Sequence, residues 1–430
     1  MFRLKLQQLE NTYRSLLQER FARNLGWLGL AELGVRVTRI FATIALARCL
    51  DAAVYGVAAI ALTVHELVFV LARNGLGAKI IQCASDELDS VTHLAYRLNA
   101  WIAVGLFVLQ AALAWPIAWF YGRSELAPMI LALALIHLVS PFSLVAWAMI
   151  QRLGRLNCVA KLTVLVVGCD NLLTAILAFG GLGAWAAVLP KVVVAPVWVL
   201  LLRRAHPWQP RSGFRPTGYR DVFIFGRRVL GVEVVRAVRA QADYLLVGRF
   251  LGLEVLGLYY LAFNAGLGFS QTIIRSFGMA LYPDLCASRG VAEALRERLH
   301  GAYRTVAMTG VPLILLQCLL APLYVPLIFG PQWTPAVPIL ILICLSALPR
   351  LLDEGASQLL RAVDRPDLDL RFNVMFTAAF LGSVLIGLQG GAVGVAFAVL
   401  VIHLITLPPF AVWTYQKLNA GFFEIQSARA

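Results

Sequence analysis

Charge is what this sequence has least of. Only 14% of its 430 residues are Asp, Glu, Lys or Arg, against 60% hydrophobic, and its mean hydropathy is +0.77. A soluble globular chain carries about a quarter of its residues as charges, so that class is excluded. The seven cysteines (49, 83, 158, 169, 286, 318 and 344) show no CxxC and no paired spacing. This argues against a disulfide framework or a zinc site and leaves small apolar fillers of an interior. A Gly-rich phosphate loop, a His/Cys metal cluster and a nucleophile elbow are missing too. No polar segment is long enough to fold as a catalytic domain, and no cleavable signal precedes the first apolar run. The sequence therefore predicts no enzyme, no cofactor and no metal.

What it does have is apolar runs of about 20 residues, the length that crosses a bilayer core as helix. Twelve spans are predicted, at 25–47, 55–82, 96–120, 127–150, 158–179, 182–202, 222–248, 254–283, 303–329, 334–360, 371–388 and 391–414. The expected fold is an all-α polytopic membrane protein. Ahead of it, residues 1–24 place Phe2, Leu6, Leu9, Tyr13 and Leu16 at heptad spacing, which suits an amphipathic surface helix. Arginine and lysine crowd the N-terminus, the segment after span six (Arg203, Arg204, Arg211, Arg215, Arg220) and the segment after span eight. By the positive-inside rule both termini are expected in the cytoplasm. That asymmetry accounts for most of the net charge of +14, with no need of a nucleic-acid partner.

The chain resembles itself. "HLAYR" at 93–97 returns as "HGAYR" at 300–304, and 11 of 22 positions agree out to 114 and 321, Gln110 matching Gln317. "ARCLDAAVYG" at 47–56 aligns with "GRFLGLEVLG" at 248–257, pairing Arg48 with Arg249 and Gly56 with Gly257. With "GG" at 180–181 returning at 390–391 and "AVL" at 187–189 at 398–400, the offsets grow from 201 to 211 in chain order and point to one duplication with small insertions. Six spans per copy is an even number, so the predicted repeat is parallel, with the substrate site at the interface of the halves. The expected organisation is an N-terminal helix over 1–24, an N-lobe over 25–203, a basic linker over 204–221, a C-lobe over 222–415 and a cytoplasmic tail over 416–430.

Charges inside the spans carry the functional reading. "ELGVRVTR" at 32–39 puts Glu32, Arg36 and Arg39 on one helix face, and "EVVRAVR" at 233–239 repeats this with Glu233, Arg236 and Arg239. A charge in hydrocarbon costs at least about 2.5 kcal/mol, so such residues face a bundle interior or water. Arg73 and Arg275 fall at repeat-equivalent places and Arg350 lies in span ten. Surplus guanidinium suits phosphate oxygens, while the alternative is a staple in which each Glu neutralises its own Arg. Glu66, Asp170, Asp243 and Glu354 are candidate carriers of a coupling proton or Na⁺, or else salt-bridge partners.

"ARCLDAAVYGVAAI", "NGLGAKIIQ", "DYLLVGRFLGLEVLGLYYLA" and "APLYVPLIFGPQW" resemble the bacterial polysaccharide transporter family, the lipid-linked oligosaccharide flippases of the multidrug/oligosaccharidyl-lipid/polysaccharide exporter superfamily. The resemblance runs from about 25 to 415. It implies twelve helices in two six-helix lobes, alternating access to a cationic cavity, and an undecaprenyl-pyrophosphate-linked glycan moved to the periplasmic leaflet of the inner membrane. Membrane lipids and polysaccharide polymerase machinery are the further partners it implies. Related murein-precursor flippases place cavity arginines in the first, second and eighth helices, which Arg36, Arg39, Arg73 and Arg275 match by helix. Those proteins carry two extra C-terminal helices that this chain lacks, so a murein substrate is not expected. A drug or cation exporter of the same superfamily would want acids and aromatics in the cavity. A membrane glycan polymerase or ligase would want a large periplasmic loop.

Overall fold

The computed structural model describes residues 34–72, 75–83, 86–210, 219–288, 291–363 and 365–419. The expected surface helix over 1–24, Glu32, Arg73, part of the basic linker and most of the tail lie outside the described residues. Among the described residues there is no strand. The helices are α1 (34–49), α2 (Ala52–Phe69), α3 (Leu76–Gln82), α4 (Leu88–Tyr121), α5 (Leu126–Val139), α6 (Pro141–Arg152), α7 (Leu156–Phe179) and α8 (Trp185–Ala205). They continue as α9 (Tyr219–Phe250), α10 (Leu253–Ala262), α11 (Gly268–Ala287), α12 (Ala292–Tyr324), α13 (Val337–Leu345), α14 (Ala347–Ala362), α15 (Pro366–Gly387) and α16 (Gly391–Asn419).

Seven described stretches are long and apolar enough to cross a bilayer, or eight if α5 and α6, bent by 52° at their junction, make one span. Among the described residues that is fewer than the twelve spans expected, and much of the difference has physical causes. Arg236, Arg239, Asp243 and Arg249 interrupt the apolar run of α9. A π-turn at Phe263–Leu267 separates α10 from α11. The apolar stretch Pro366–Leu418 holds 53 residues. As a single helix it would measure about 80 Å, against a hydrocarbon core of about 30 Å. A turn at Leu388–Gly390 and a left-handed Gly391 (φ +67°) fold it back as α15 and α16 instead.

The α5–α6 bend falls where Pro141 opens a helix, since proline has no N–H to continue the ladder. The Ser140 hydroxyl donates to the carbonyl of His137 at 2.9 Å in its place. Outward-facing Trp119, Trp101, Leu327 and Met375 are 71–85% exposed. In water such a surface would be untenable; in a bilayer it is the lipid face.

The chain divides into two compact units, Met1–Leu46 with Val64–Glu233, and Ala47–Thr63 with Val234–Ala430. In the first, Leu76, Ile80, Leu94, Ala95, Val145 and Ala148 form a core shared by α3, α4 and α6. In the second, Leu281, Leu285, Leu299, Leu359, Leu360 and Phe410 do the same for α11, α12, α14 and α16, with Phe372 stacked on Phe410 at 3.6 Å between centroids.

Within the second unit, the repeat-paired glycines meet. A methyl added at Gly56 would lie 1.9 Å from the carbonyl oxygen of Leu253, and one at Gly257 would lie 1.9 Å from that of Ala52. Those contacts are reciprocal under the offset of 201, which pairs 52 with 253 and 56 with 257 in the sequence alignment. Small residues here let two backbones touch. Fully buried Trp333 donates its indole N–H to Ala47 O at 2.7 Å, and Tyr55 packs edge-on against it. Arg48 donates to the carbonyls of Leu327 and Ile328.

Candidate functional site

The second unit encloses a cavity of about 340 Å³. α9 contributes Arg236, Arg239, Ala240 and Asp243, whose spacing of three and four keeps them on one face. The π-turn and the start of α11 contribute Phe263, Asn264, Leu267, Gly268 and Gln271, α14 contributes Arg350, and α15 and α16 contribute Phe380 and His403. The wall thus carries three guanidiniums and one carboxylate. Arginine stays charged in proteins.

Each charge is held differently. Arg239 donates to Asn373 Oδ1 at 2.7 Å and lies over the Phe376 ring at 5.4 Å. Asn373 in turn donates to Asp369 Oδ1 at 2.8 Å; the Ser357 hydroxyl donates to the same oxygen, and Arg361 pairs with Oδ2 at 3.4 Å. A partly buried chain of hydrogen bonds therefore runs from the cavity through α15 to α14. Asp243 is buried, accepting from the Tyr259 hydroxyl at 3.0 Å and the Tyr244 N–H at 3.0 Å. Arg236 is exposed to the cavity, and the Nε of Arg350 is buried with no hydrogen-bond partner among the described residues. Asp353 Oδ1, one turn along α14 from Arg350, is in the same condition. His403 directs Nδ1 at Val399 O at 2.6 Å, which leaves Nε2 as the acceptor.

The π-turn shapes one wall. Widening the helix by one residue leaves carbonyls without their usual donors. Gln317 Nε2 donates to two of them, Ala265 O at 3.2 Å and Gly266 O at 2.8 Å, and Ser270 donates back to its Oε1 at 3.3 Å. Gly266 is required there, since an added methyl would stand 2.9 Å from Cys344 Sγ and from Leu340.

Of the residues singled out in the sequence, Arg236, Arg239, Arg350 and Asp243 come together in this cavity. Arg275 is exposed on α11 outside its lining, and Glu354 accepts from Gln358 at 2.6 Å and fills the space over Gly278. In the first unit Arg36 is half-buried and Arg39 exposed on α1, Glu66 is exposed on α2, and Asp170 pairs with Lys191 at 3.1 Å. Arg73 lies outside the described residues. Missed from sequence were His403, Asn264, Gln271 and the chain through Asn373 and Asp369. The Gln110–Gln317 match was the one available signal for the π-turn's latch.

Residues 45–338 match the sequence profile of a family described as polysaccharide biosynthesis protein. The lipopolysaccharide biosynthesis protein WzxC of Escherichia coli K12 is 25% identical over 398 residues, covering 90% of this chain and 80% of the relative. The succinoglycan biosynthesis transport protein ExoT of Rhizobium meliloti is 25% identical over 331 residues, covering 75% of this chain and 65% of the relative. Among solved structures, the lipid II flippase MurJ in an inward closed conformation superposes with a TM-score of 0.76 at 12% identity, covering 92% of this chain and 90% of that one. At that identity the likeness is one of fold.

Proposed function

The chain belongs to the polysaccharide biosynthesis protein family, a membrane transporter type, and from that premise we propose that it flips a lipid-linked oligosaccharide from the cytoplasmic to the periplasmic leaflet of a bacterial inner membrane. The observation that carries the proposal is the excess of guanidinium over carboxylate around one cavity, Arg236, Arg239 and Arg350 against Asp243. Guanidinium forks match the oxygens of a phosphate or pyrophosphate, and such charge-assisted pairs are about twice as strong as neutral hydrogen bonds. The volume of about 340 Å³ sits at the lower end of the roughly 300–1,000 Å³ usual for ligand sites. It suits a pyrophosphate and its first sugar, with the polyprenyl tail left in lipid. A cation exporter would need the opposite excess.

In this account the cavity opens to each side of the membrane in turn, and both termini stay in the cytoplasm. Asp243 is the carboxylate best placed to answer the arginines; Glu66, Asp170 and Glu354 are further candidates for a coupling ion, with Arg36, Arg39, Arg73 and Arg275 as additional contacts along the substrate's path. The test is genetic and chemical together. A strain deleted for the protein should accumulate one lipid-linked oligosaccharide in the inner leaflet, and the wild-type chain should clear it. Arg236→Gln combined with Arg350→Gln should be present at normal abundance and fail to clear it. Normal clearance by that pair of substitutions would refute the cavity's role.

A further inference from the structure

The first unit contains a cluster that the arginine cavity does not use. Gln110 on α4 is fully buried and donates through Nε2 to Ile130 O at 2.9 Å, which fixes the orientation of its amide. Its Oε1 is met by two imidazoles, His65 Nδ1 of α2 at 3.2 Å and His137 Nε2 of α5 at 2.8 Å. We propose that His65, Gln110 and His137 form a coupling-proton site, taking up one proton on the exposed side of the membrane and releasing it on the other. The flippase reading enters only in what that proton drives; the site stands on its own geometry.

A carboxamide oxygen only accepts, so both rings must donate to it. That sets opposite neutral tautomers. His65 carries its hydrogen on Nδ1 and its lone pair on Nε2; His137 carries its hydrogen on Nε2 and its lone pair on Nδ1. The Nδ1 of His137 is buried and has no hydrogen-bond partner among the described residues. A structural staple has no use for such a lone pair, because an unmet buried acceptor costs about 1–3 kcal/mol. For a proton it is an open seat: binding forms one N–H bond at Nδ1 and makes an imidazolium, and release to water restores the neutral ring.

The surroundings limit the uptake to one. The ring centroids lie 5.2 Å apart, so a charge on either imidazole opposes a charge on the other. Phe69 stacks on His137 at 6.0 Å and 26°, presenting a π-face to the cation. From α8 the Lys191 ammonium faces His65, and Asp170 of α7 pairs with that ammonium at 3.1 Å. On α2 itself Glu66 is the next residue along and is exposed.

Two substitutions keep the hydrogen bonds and delete the proton. An Asn amide nitrogen stands where His Nδ1 does, and a Gln amide nitrogen where His Nε2 does, so His65→Asn with His137→Gln still donates twice to Gln110. The first measurement uses the full chain in nanodiscs, labelled with ¹⁵N in its six histidines, with no substrate present. Titrated from about pH 8 to about pH 4, the two rings should start as opposite tautomers and together gain one charge. Rings that stay neutral throughout, or that gain two independent charges, would overturn the site. The second measurement reconstitutes the chain in proteoliposomes with undecaprenyl pyrophosphate and imposes a pH difference. Wild-type flipping should change by up to about tenfold per pH unit, the limit for one coupled proton, whereas the double variant should stay folded and vary by less than about twofold. A variant that keeps the full pH dependence would overturn the coupling while leaving the flippase reading intact. Wild-type protein that flips nothing would sink the flippase reading and leave the ring titration to decide the site.

Discussion

The two units solve the problem of polar groups in a membrane in different ways. The first holds a neutral His65–Gln110–His137 set and, between α7 and α8, the ion pair Lys191–Asp170. The second gathers Arg236, Arg239 and Arg350 around one cavity and backs Arg239 with Asn373 and Asp369. The contrast is sharpest at Gln110 and Gln317, which the sequence repeat aligns. Both are interior glutamines on long helices, and each donates to backbone in a neighbouring element. Gln110 spends its oxygen on two imidazoles; Gln317 spends its nitrogen on a π-turn that forms a cavity wall. Two glutamines aligned in sequence thus differ through the side chains and backbone packed against them.

The largest effect should come where the repeats are treated alike. Gly56→Leu and Gly257→Leu each drive a side chain into a backbone carbonyl that cannot move aside. Both should abolish folded protein in fluorescence-detected size exclusion, to the same degree; survival of either would break the reciprocity. Next come the aligned glutamines. Gln110→Leu strands two imidazole donors and a carbonyl, whereas Gln317→Leu strands two carbonyls and frees the Ser270 hydroxyl, which can turn to a carbonyl of its own helix; each unmet buried group costs about 1–3 kcal/mol. Thermal melts should therefore fall further for Gln110→Leu, and equal losses would contradict the distinct roles.

A smaller effect is expected along the chain behind Arg239. Asn373→Leu cuts its link to Asp369 while leaving the Asp369–Arg361 pair in place. Flipping should drop several-fold and up to about tenfold, equivalent to about 1.4 kcal/mol, with abundance unchanged. The smallest belongs two residues away. Asp367 pairs with Arg365 at 3.0 Å on an open surface, and such pairs contribute little. Asp367→Asn should leave melting and transport as they were, marking the difference between an exposed and a buried carboxylate in one turn.

Much of this was legible beforehand, and the limits have physical causes. The helical class followed from apolar run length. The charged face of α9 followed from spacing of three and four, which is why Arg236, Arg239 and Asp243 were found together. Arg350 could be named from its position in an apolar run. Its approach to α9 could not, because helix packing is a long-range choice that local spacing does not encode. His403 and Asn373 read as ordinary polar residues in apolar helices, and only their neighbours make them part of a site. The π-turn at Phe263–Leu267 could not be read from its own residues, since the glutamine that latches it lies on another helix.

Whether the arginine cavity binds pyrophosphate is tested by equilibrium binding of undecaprenyl pyrophosphate to the full chain in nanodiscs, for wild type and for Arg236→Gln with Arg350→Gln. The account predicts salt-sensitive binding by wild type and a loss of at least about tenfold in the double variant at unchanged melting temperature. Equal affinity in the two proteins would contradict it.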